Sequence, residues 1–129
     1  MNHNQKIGRW GEEIAAEYLQ KKGYEFVDKN VRTPYGEIDL ILRHSEIVIF
    51  VEVKTRRSDS AGHPAEAVTH DKQRQLTRAA LAYLKRYQQL ESPSRFDVIA
   101  IVWPDDHSKP RVEHFQNAFE PPGSGQMFS

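Results

Sequence analysis

The sequence predicts an α/β domain in which helices flank a mixed β-sheet, with elements in the order α-β-β-β-α-β-β. Two segments carry apolar residues at the 3.6-residue spacing of an amphipathic helix. Five shorter segments are rich in β-branched and aromatic residues, which is typical of strands. The chain has 129 residues, of which 38% are hydrophobic, and this fits one domain with one core.

The first helix is predicted over residues 7–22, where Ile14, Ala15, Tyr18 and Leu19 share one face and Gly23 supplies a stop. Residues 24–27 are predicted as a strand. Residues 30–36 contain Pro34 and Gly36 and are predicted as a loop. Residues 37–42 and 47–54 follow as two nearly continuous aliphatic strands, typical of a sheet covered on both faces, and they are joined by a tight turn into a hairpin.

The remainder of the chain adds one helix and two strands. After a polar loop at 55–64, a helix is predicted from near Ala65 or Asp71 to about Leu90. Strands are predicted at 95–103 and 111–115, with a loop between them. Residues 120–129 are predicted to be a disordered tail, so that the single domain spans residues 1–119.

Composition narrows the classes of function. The absence of cysteine excludes disulfides and thiolate metal sites. No apolar run approaches the roughly 18 residues of a spanning helix, and the N-terminal residues do not resemble a signal peptide, so a soluble cytoplasmic protein without membrane contact is expected. The formal net charge is zero, yet residues 54–95 contain 9 basic and 4 acidic side chains, a net charge of +5. This basic block is either a phosphate-binding surface or a solvated helix face.

Charged residues interrupt the aliphatic hairpin. If Ser45 and Glu46 form its turn, Asp39 lies opposite Glu52, and period-two alternation sends Lys54 to the face of Glu52. Val53 points the other way and offers its backbone carbonyl near the site. Opposed carboxylates repel each other and need a cation, a proton or Lys54 as compensation. A register slip of one residue would put Asp39 on the face opposite to Glu52. The alternative interpretation of Glu52 and Lys54 is a surface ion pair at a sheet edge.

Several motifs together carry a family resemblance. They are GRWGEE at 8–13, GEIDLI at 36–41, FVEVKTR at 50–56, Lys72, RFDVIAI at 95–101 and NAF at 117–119. Over about residues 8–118 the chain resembles the bacterial YraN-like family and, more distantly, the PD-(D/E)xK nuclease superfamily with its restriction-endonuclease-like fold, including archaeal Holliday-junction resolvases. Ile38 stands where the superfamily pattern has proline.

The resemblance implies roles for specific residues. Asp39 and Glu52 are expected to bind magnesium, with manganese as a substitute, and Lys54 is expected to orient the attacking water or to stabilise charge on the phosphate. Glu12 on the first helix is implied as a further ligand, with Glu13 as its competitor. The backbone carbonyl of Val53 completes the predicted metal ligands. With Ile38 in place of the pattern's proline, Glu37 is either an extra ligand or a structural residue, and we interpret it as structural.

The predicted function is a metal-dependent endonuclease acting on DNA, with branched or structured DNA suggested by the resolvase resemblance and RNA left open. Arg56, Arg57 and Lys72 are predicted to contact phosphate. The same resemblance implies a homodimer. The alternative is a catalytically weak or inactive nucleic-acid-binding module that acts with a protein partner. Intact Asp39, Glu52 and Lys54 favour the nuclease, whereas zero net charge favours weak or partner-dependent binding.

Overall fold

Within residues 3–57, 62–103 and 109–121, which the computed structural model describes, five strands form one mixed sheet with an α-helix on each face. The elements are α1 (His3–Lys21), β1 (Glu25–Thr33), β2 (Gly36–His44), β3 (Ile47–Arg57), a short 3₁₀ helix (Pro64–Ala67), α2 (His70–Arg86), β4 (Ser94–Trp103) and β5 (Arg111–Phe115). The predicted fold class and element order are confirmed. No helix in the described part of the chain is long and apolar enough to cross a membrane.

The spatial order of the strands is their order along the chain, β1-β2-β3-β4-β5. Neighbouring strands are antiparallel except for β3 and β4, which run parallel. A parallel pair needs a crossover connection, and α2 supplies it. The crossover therefore places the basic segment of the sequence on one face of the sheet, while α1 covers the other.

The sheet separates two hydrophobic clusters. On the α2 side, the aliphatic and aromatic residues of β2, β3 and β4 pack against the apolar stripe of α2, as in the contact of Phe50 with Tyr83 and the burial of Leu84. On the α1 side, Ala15 and Leu19 pack against Ile49 and other residues of the same strands. Burial on both faces explains the nearly continuous aliphatic sequence of the central strands.

The hairpin between β2 and β3 has the predicted register. His44 pairs with Ile47, and the ladder continues to Leu40 opposite Val51. Ser45 and Glu46 have φ values of 54° and 63°, so a two-residue turn with positive φ at both positions forms without glycine. Extending the register by one position sets Asp39 opposite Glu52. The slipped alternative is thereby excluded.

Several element boundaries were predicted wrongly. The first helix begins at His3 rather than at residue 7, and β3 continues to Arg57 although residues 55–57 were predicted as loop. Residues 30–33, predicted as loop, continue β1, because Arg32 pairs with Glu37 and Thr33 with Gly36. Only the turn residues between Thr33 and Gly36 leave the ladder. The second helix ends at Arg86 rather than near residue 90, and Gln88, with φ of 56°, follows its end. The predicted tail lies outside the described residues beyond position 121.

A buried ionic network explains the RFDVIAI and NAF motifs as structural. The Asp97 side chain is fully buried and accepts four hydrogen bonds, two from Arg95 and one each from His114 Nε2 and the Asn117 backbone N–H. Burial alone would raise the pKa of Asp97, but these donors lower it below its usual value. The network and the stacking of Phe119 on Phe96 fasten the chain after β5 to β4.

Candidate metal centre

Asp39 lies where β2 diverges from β3. Ile38 packs in the α2-side cluster and Leu40 in the α1-side cluster, although strict alternation would put both on one face, so β2 twists at Asp39. Asp39 Oδ2 accepts a hydrogen bond from the backbone N–H of Val53 at 2.9 Å, just beyond the last backbone pair, Leu40 with Val51. The twist directs a partly buried carboxylate into the gap between the two strands.

Glu52 supplies a buried carboxylate on the α2 side of the sheet. Its side chain is 8% exposed, and its Oε1 lies 3.5 Å from Lys54 Nζ and 3.9 Å from Lys72 Nζ. Its Oε2 is buried and has no hydrogen-bond partner among the described residues. Because an unpaired oxygen of a buried carboxylate is costly, the position calls for a further positive partner.

Glu12 reaches the site from the opposite face. Gly11 is buried, and a Cβ atom added to it would lie 2.4 Å from Thr55 Oγ1, so glycine is needed for α1 to approach β3 this closely. The next residue, Glu12, then brings a carboxylate oxygen within 4.8 Å of oxygens of Glu37 and Asp39. Glu13 is exposed. Close packing of the helix thus builds a cluster of three carboxylates, which includes Glu12 and leaves Glu13 outside it.

Asn30 on β1 contacts two of these carboxylates, a role that was not predicted from the sequence. The Asn30 amide is assigned the orientation in which its nitrogen, and not its oxygen, faces the carboxylates; the nitrogen then donates to Glu12 Oε1 at 2.9 Å, to Glu12 Oε2 at 3.2 Å and to Glu37 Oε1 at 3.1 Å. Asn30 adopts a φ of 50°, in the left-handed region that asparagine tolerates better than most residues. The assignment of residues 30–36 to a loop hid this contact, since it removed Asn30 from the sheet.

The electrostatics follow from this crowding. Burial first, and then the Asp39 charge, raise the pKa of Glu12 to about 7, while the Asn30 hydrogen bond opposes the rise. Burial and the Glu52 charge raise the pKa of Asp39 to about 7, although the Val53 N–H and Lys72 oppose it. At neutral pH these carboxylates are therefore only partly ionised in the absence of a compensating positive charge.

The predicted site residues fall into two groups. Asp39, Glu52, Lys54 and Glu12 converge, and Lys72, predicted to lie beside the site and to contact phosphate, has its Nζ 3.9 Å from Glu52 Oε1; its contact with phosphate stays a prediction. Val53 contacts Asp39 through its N–H, and the role of its carbonyl stays a prediction.

Two further predicted residues, Arg56 and Arg57, lie beyond the site at the end of β3. Arg56 is half-buried and Arg57 is exposed, and neither side chain is without a partner. Their predicted contact with phosphate stays a prediction.

The donor set suits a hard divalent cation. Magnesium prefers oxygen ligands, keeps several waters and needs few carboxylates. The oxygens of Glu12, Glu37 and Asp39 lie within 4.8 Å of one another, and Glu52 is close enough to Asp39 for its charge to raise the pKa of Asp39. The unpartnered Glu52 Oε2 is an independent observation that fits a missing positive partner. The residues present therefore fit the magnesium ion that the sequence resemblance implies.

Comparison with known proteins places this site in a family. The sequence profile described as "Uncharacterised protein family UPF0102" matches residues 11–101. The chain belongs to the UPF0102 family. The matched span contains Glu12, Asp39, Glu52, Lys54 and Lys72. The YraN-like resemblance recognised in the sequence is thereby confirmed.

Individual UPF0102 proteins match nearly the whole chain. A UPF0102 protein of Syntrophotalea carbinolica is 50% identical over 117 residues, covering 91% of this chain and 94% of the relative. The UPF0102 protein GSU0650 of Geobacter sulfurreducens is 48% identical over 121 residues, covering 92% of each. A UPF0102 protein of Rhodopirellula baltica is 44% identical and covers 99% of this chain and 78% of the relative. None of these names describes an activity.

Proposed function

We propose that this protein is a magnesium-dependent nuclease that hydrolyses phosphodiester bonds in DNA. The observation that carries the proposal is the convergence of Asp39 and Glu52 with Lys54 at the point where β2 and β3 diverge. Magnesium bound by these carboxylates and Glu12, with manganese as a substitute, would polarise a phosphoryl oxygen and lower the pKa of a bound water.

The side chains of the site have separate tasks in this proposal. Asp39 and Glu52 provide negative charge from two adjacent strands, and the Val53 N–H holds Asp39 in place. Lys54 Nζ, 3.5 Å from Glu52 Oε1, supplies positive charge where the phosphate becomes more negative in the transition state. Lys72 contacts the same Glu52 oxygen, so it helps to balance the carboxylates and lies within reach of a phosphate bound at the site.

The surface beside the site supports a nucleic-acid partner. The outer side of α2 exposes Arg74, Arg78, Lys85 and Arg86. A groove there is lined by Tyr35, Arg78, Leu81, Ala82, Lys85 and Leu90, with no acidic residue among the described lining. Tyr35 is 49% exposed on the turn that leads into β2. An exposed aromatic ring between cations is a favourable surface for an unpaired base and its phosphate.

The choice of DNA with a branched or structured form rests on the resolvase resemblance, as does the proposed homodimer. Two copies would cut two strands symmetrically, each with its own site. Sedimentation of the protein alone and with a four-way junction measures this part of the proposal. A monomer on the junction would remove the support for symmetric cutting, while cleavage of single strands by a monomer would still agree with a nuclease.

Cleavage of labelled DNA tests the proposal directly. Single-stranded, linear duplex and four-way-junction substrates are incubated with magnesium, manganese or EDTA, using the parent protein, Asp39→Asn and Lys54→Ala. Lys21→Ala is the matched control, because Lys21 is the last residue of α1 and its side chain is 76% exposed. Metal-dependent cutting that both site variants lose and the control keeps is expected. Binding without cutting by the parent would favour the alternative, a nucleic-acid-binding module.

A further inference from the structure

Asn30 and Glu37 lie beside the proposed cation ligands, but the sequence assigned them no role in the chemistry. We propose that Glu37 is a further carboxylate ligand of the cation site and that Asn30 is the positioning residue that holds Glu37 and Glu12 beside Asp39. This inference rests on the proposed function only in assuming that the site takes a divalent cation. It adds Glu37 and Asn30 to the residues that form the cation site.

The first argument is the hydrogen bonding of the Asn30 amide. A side-chain amide nitrogen carries two hydrogens, and here it lies within 3.2 Å of oxygens from both Glu12 and Glu37. Asn30 can thus donate one hydrogen to each carboxylate. Each carboxylate has about four acceptor positions, so most remain open for other partners. A neutral amide holds the two groups near each other without removing the negative charge that attracts a cation.

The second argument is the backbone of Asn30. Lys29 pairs with Leu40 and Val31 with Ile38, so Asn30 and Asp39 lie between two paired positions of β1 and β2 without being a ladder pair themselves. A φ of 50° in the middle of a strand is strained for a residue with a Cβ atom. In this conformation the exposed side chain reaches Glu12 on α1 and Glu37. The strained position and the double hydrogen bond coincide at Asn30.

The third argument is that Glu37 is not committed elsewhere by a strong contact. Its ion pair with Arg32 Nε spans 3.7 Å, and the two side chains are 42% and 90% exposed. An exposed pair of this kind stabilises little. By contrast, a Glu37 oxygen lies within 4.8 Å of oxygens of Glu12 and Asp39. Glu52, whose charge raises the pKa of Asp39 from the neighbouring strand, keeps a buried Oε2 without a hydrogen-bond partner among the described residues, so the negative charge beside Asp39 is not fully compensated.

The Asn30→Gly variant distinguishes a role of Asn30 in positioning the cation ligands from a role in the stability of the fold. Glycine adopts positive φ without strain, so this variant is expected to unfold at the same temperature as the parent or higher when no cation is present. It loses the amide, so the affinity for Mn²⁺, measured by isothermal titration calorimetry, is expected to fall about tenfold, as is typical when a partner that orients metal ligands is removed. Glu37→Gln keeps the size of the side chain and is expected to lose at least as much.

Glu17→Gln is the matched control, since Glu17 is an exposed glutamate on α1 whose side chain contacts Lys21. Parent-like Mn²⁺ affinity in both Asn30→Gly and Glu37→Gln would overturn the inference, as would a parent protein that binds no Mn²⁺. If affinity depends on Asn30 and Glu37 but no DNA is cut, the inference stands and the nuclease proposal fails. If Asp39-dependent cutting occurs while both variants bind like the parent, the nuclease proposal stands and the inference fails.

Discussion

Asp39 destabilises the metal-free protein when it is ionised, so Asp39→Asn is expected to stabilise that state at pH 8. The pKa of Asp39 rises from 3.8 to about 7 in the fold, because burial and the Glu52 charge disfavour the carboxylate. At pH values between 3.8 and about 7, Asp39 keeps its proton in the folded state but has lost it in the unfolded chain. The free energy of unfolding contributed by this group therefore falls as the pH rises from about 4 to about 7.

The size of the effect follows from the shift in pKa. Each pKa unit corresponds to about 1.4 kcal/mol, so an unscreened shift of this size would be worth about 4 kcal/mol. Asp39 is only partly buried and Lys72 compensates some of its charge, so we expect roughly 2 kcal/mol. Asparagine keeps an oxygen that can accept the Val53 N–H. In a domain of this length, the gain corresponds to roughly 5–10 °C in Tm.

Thermal unfolding at pH 5 and pH 8, with EDTA or with excess magnesium, measures this prediction. The parent should gain stability at pH 8 on adding magnesium, because a cation replaces the missing proton. Asp39→Asn should already be stable at pH 8 in EDTA and gain less from magnesium. Asp28→Asn, an exposed aspartate on β1, is the control and should behave like the parent. The reasoning is refuted if Asp39→Asn lowers the Tm at pH 8 in EDTA.

Three further substitutions probe the core, the buried network and the surface groove. Leu84→Ala removes a fully buried side chain and should lower the free energy of unfolding by about 2–5 kcal/mol in urea; a loss below about 1 kcal/mol would contradict the described packing. Asp97→Ala should cost roughly 3–5 kcal/mol, because Arg95 and His114 lose their buried acceptor, and parent-like unfolding in urea would show that the network contributes little. Tyr35→Ala should weaken binding of single-stranded DNA by about five- to a hundredfold in fluorescence anisotropy without lowering the Tm, and unchanged affinity would exclude base stacking at this residue.

The hairpin could be predicted from the sequence because its information is local. Period-two alternation and a two-residue turn were enough to place Asp39 opposite Glu52 and Lys54 on the Glu52 side. The aliphatic run around them also indicated a sheet covered on both faces. What alternation did not predict is the twist at Asp39, since it depends on how β2 leaves β3 and packs beneath α2.

The remaining parts of the site depend on tertiary contacts and were harder to predict from the sequence. Residues 30–33 are polar and precede Pro34, so local preference indicated a loop, whereas pairing with β2 extends the strand. This error concealed the contact of Asn30 with Glu12 and Glu37. Glu12 was suggested by resemblance alone, because no sequence pattern shows that Gly11 permits close packing of α1 on β3.

The two acids buried in adjacent strands, Asp97 and Glu52, distinguish structure from chemistry. Asp97 accepts four hydrogen bonds and its pKa is lowered, so the fold itself fully compensates its charge. Glu52 keeps one buried oxygen without a partner among the described residues, and its charge helps to raise the pKa of Asp39. On the adjacent strand, Lys54 and Lys72 lie near only one of the two Glu52 carboxylate oxygens, Oε1. The incomplete pairing at Glu52 is best explained by a positive partner that binds there, and this makes the divergence of β2 and β3 the part of the molecule where function is expected.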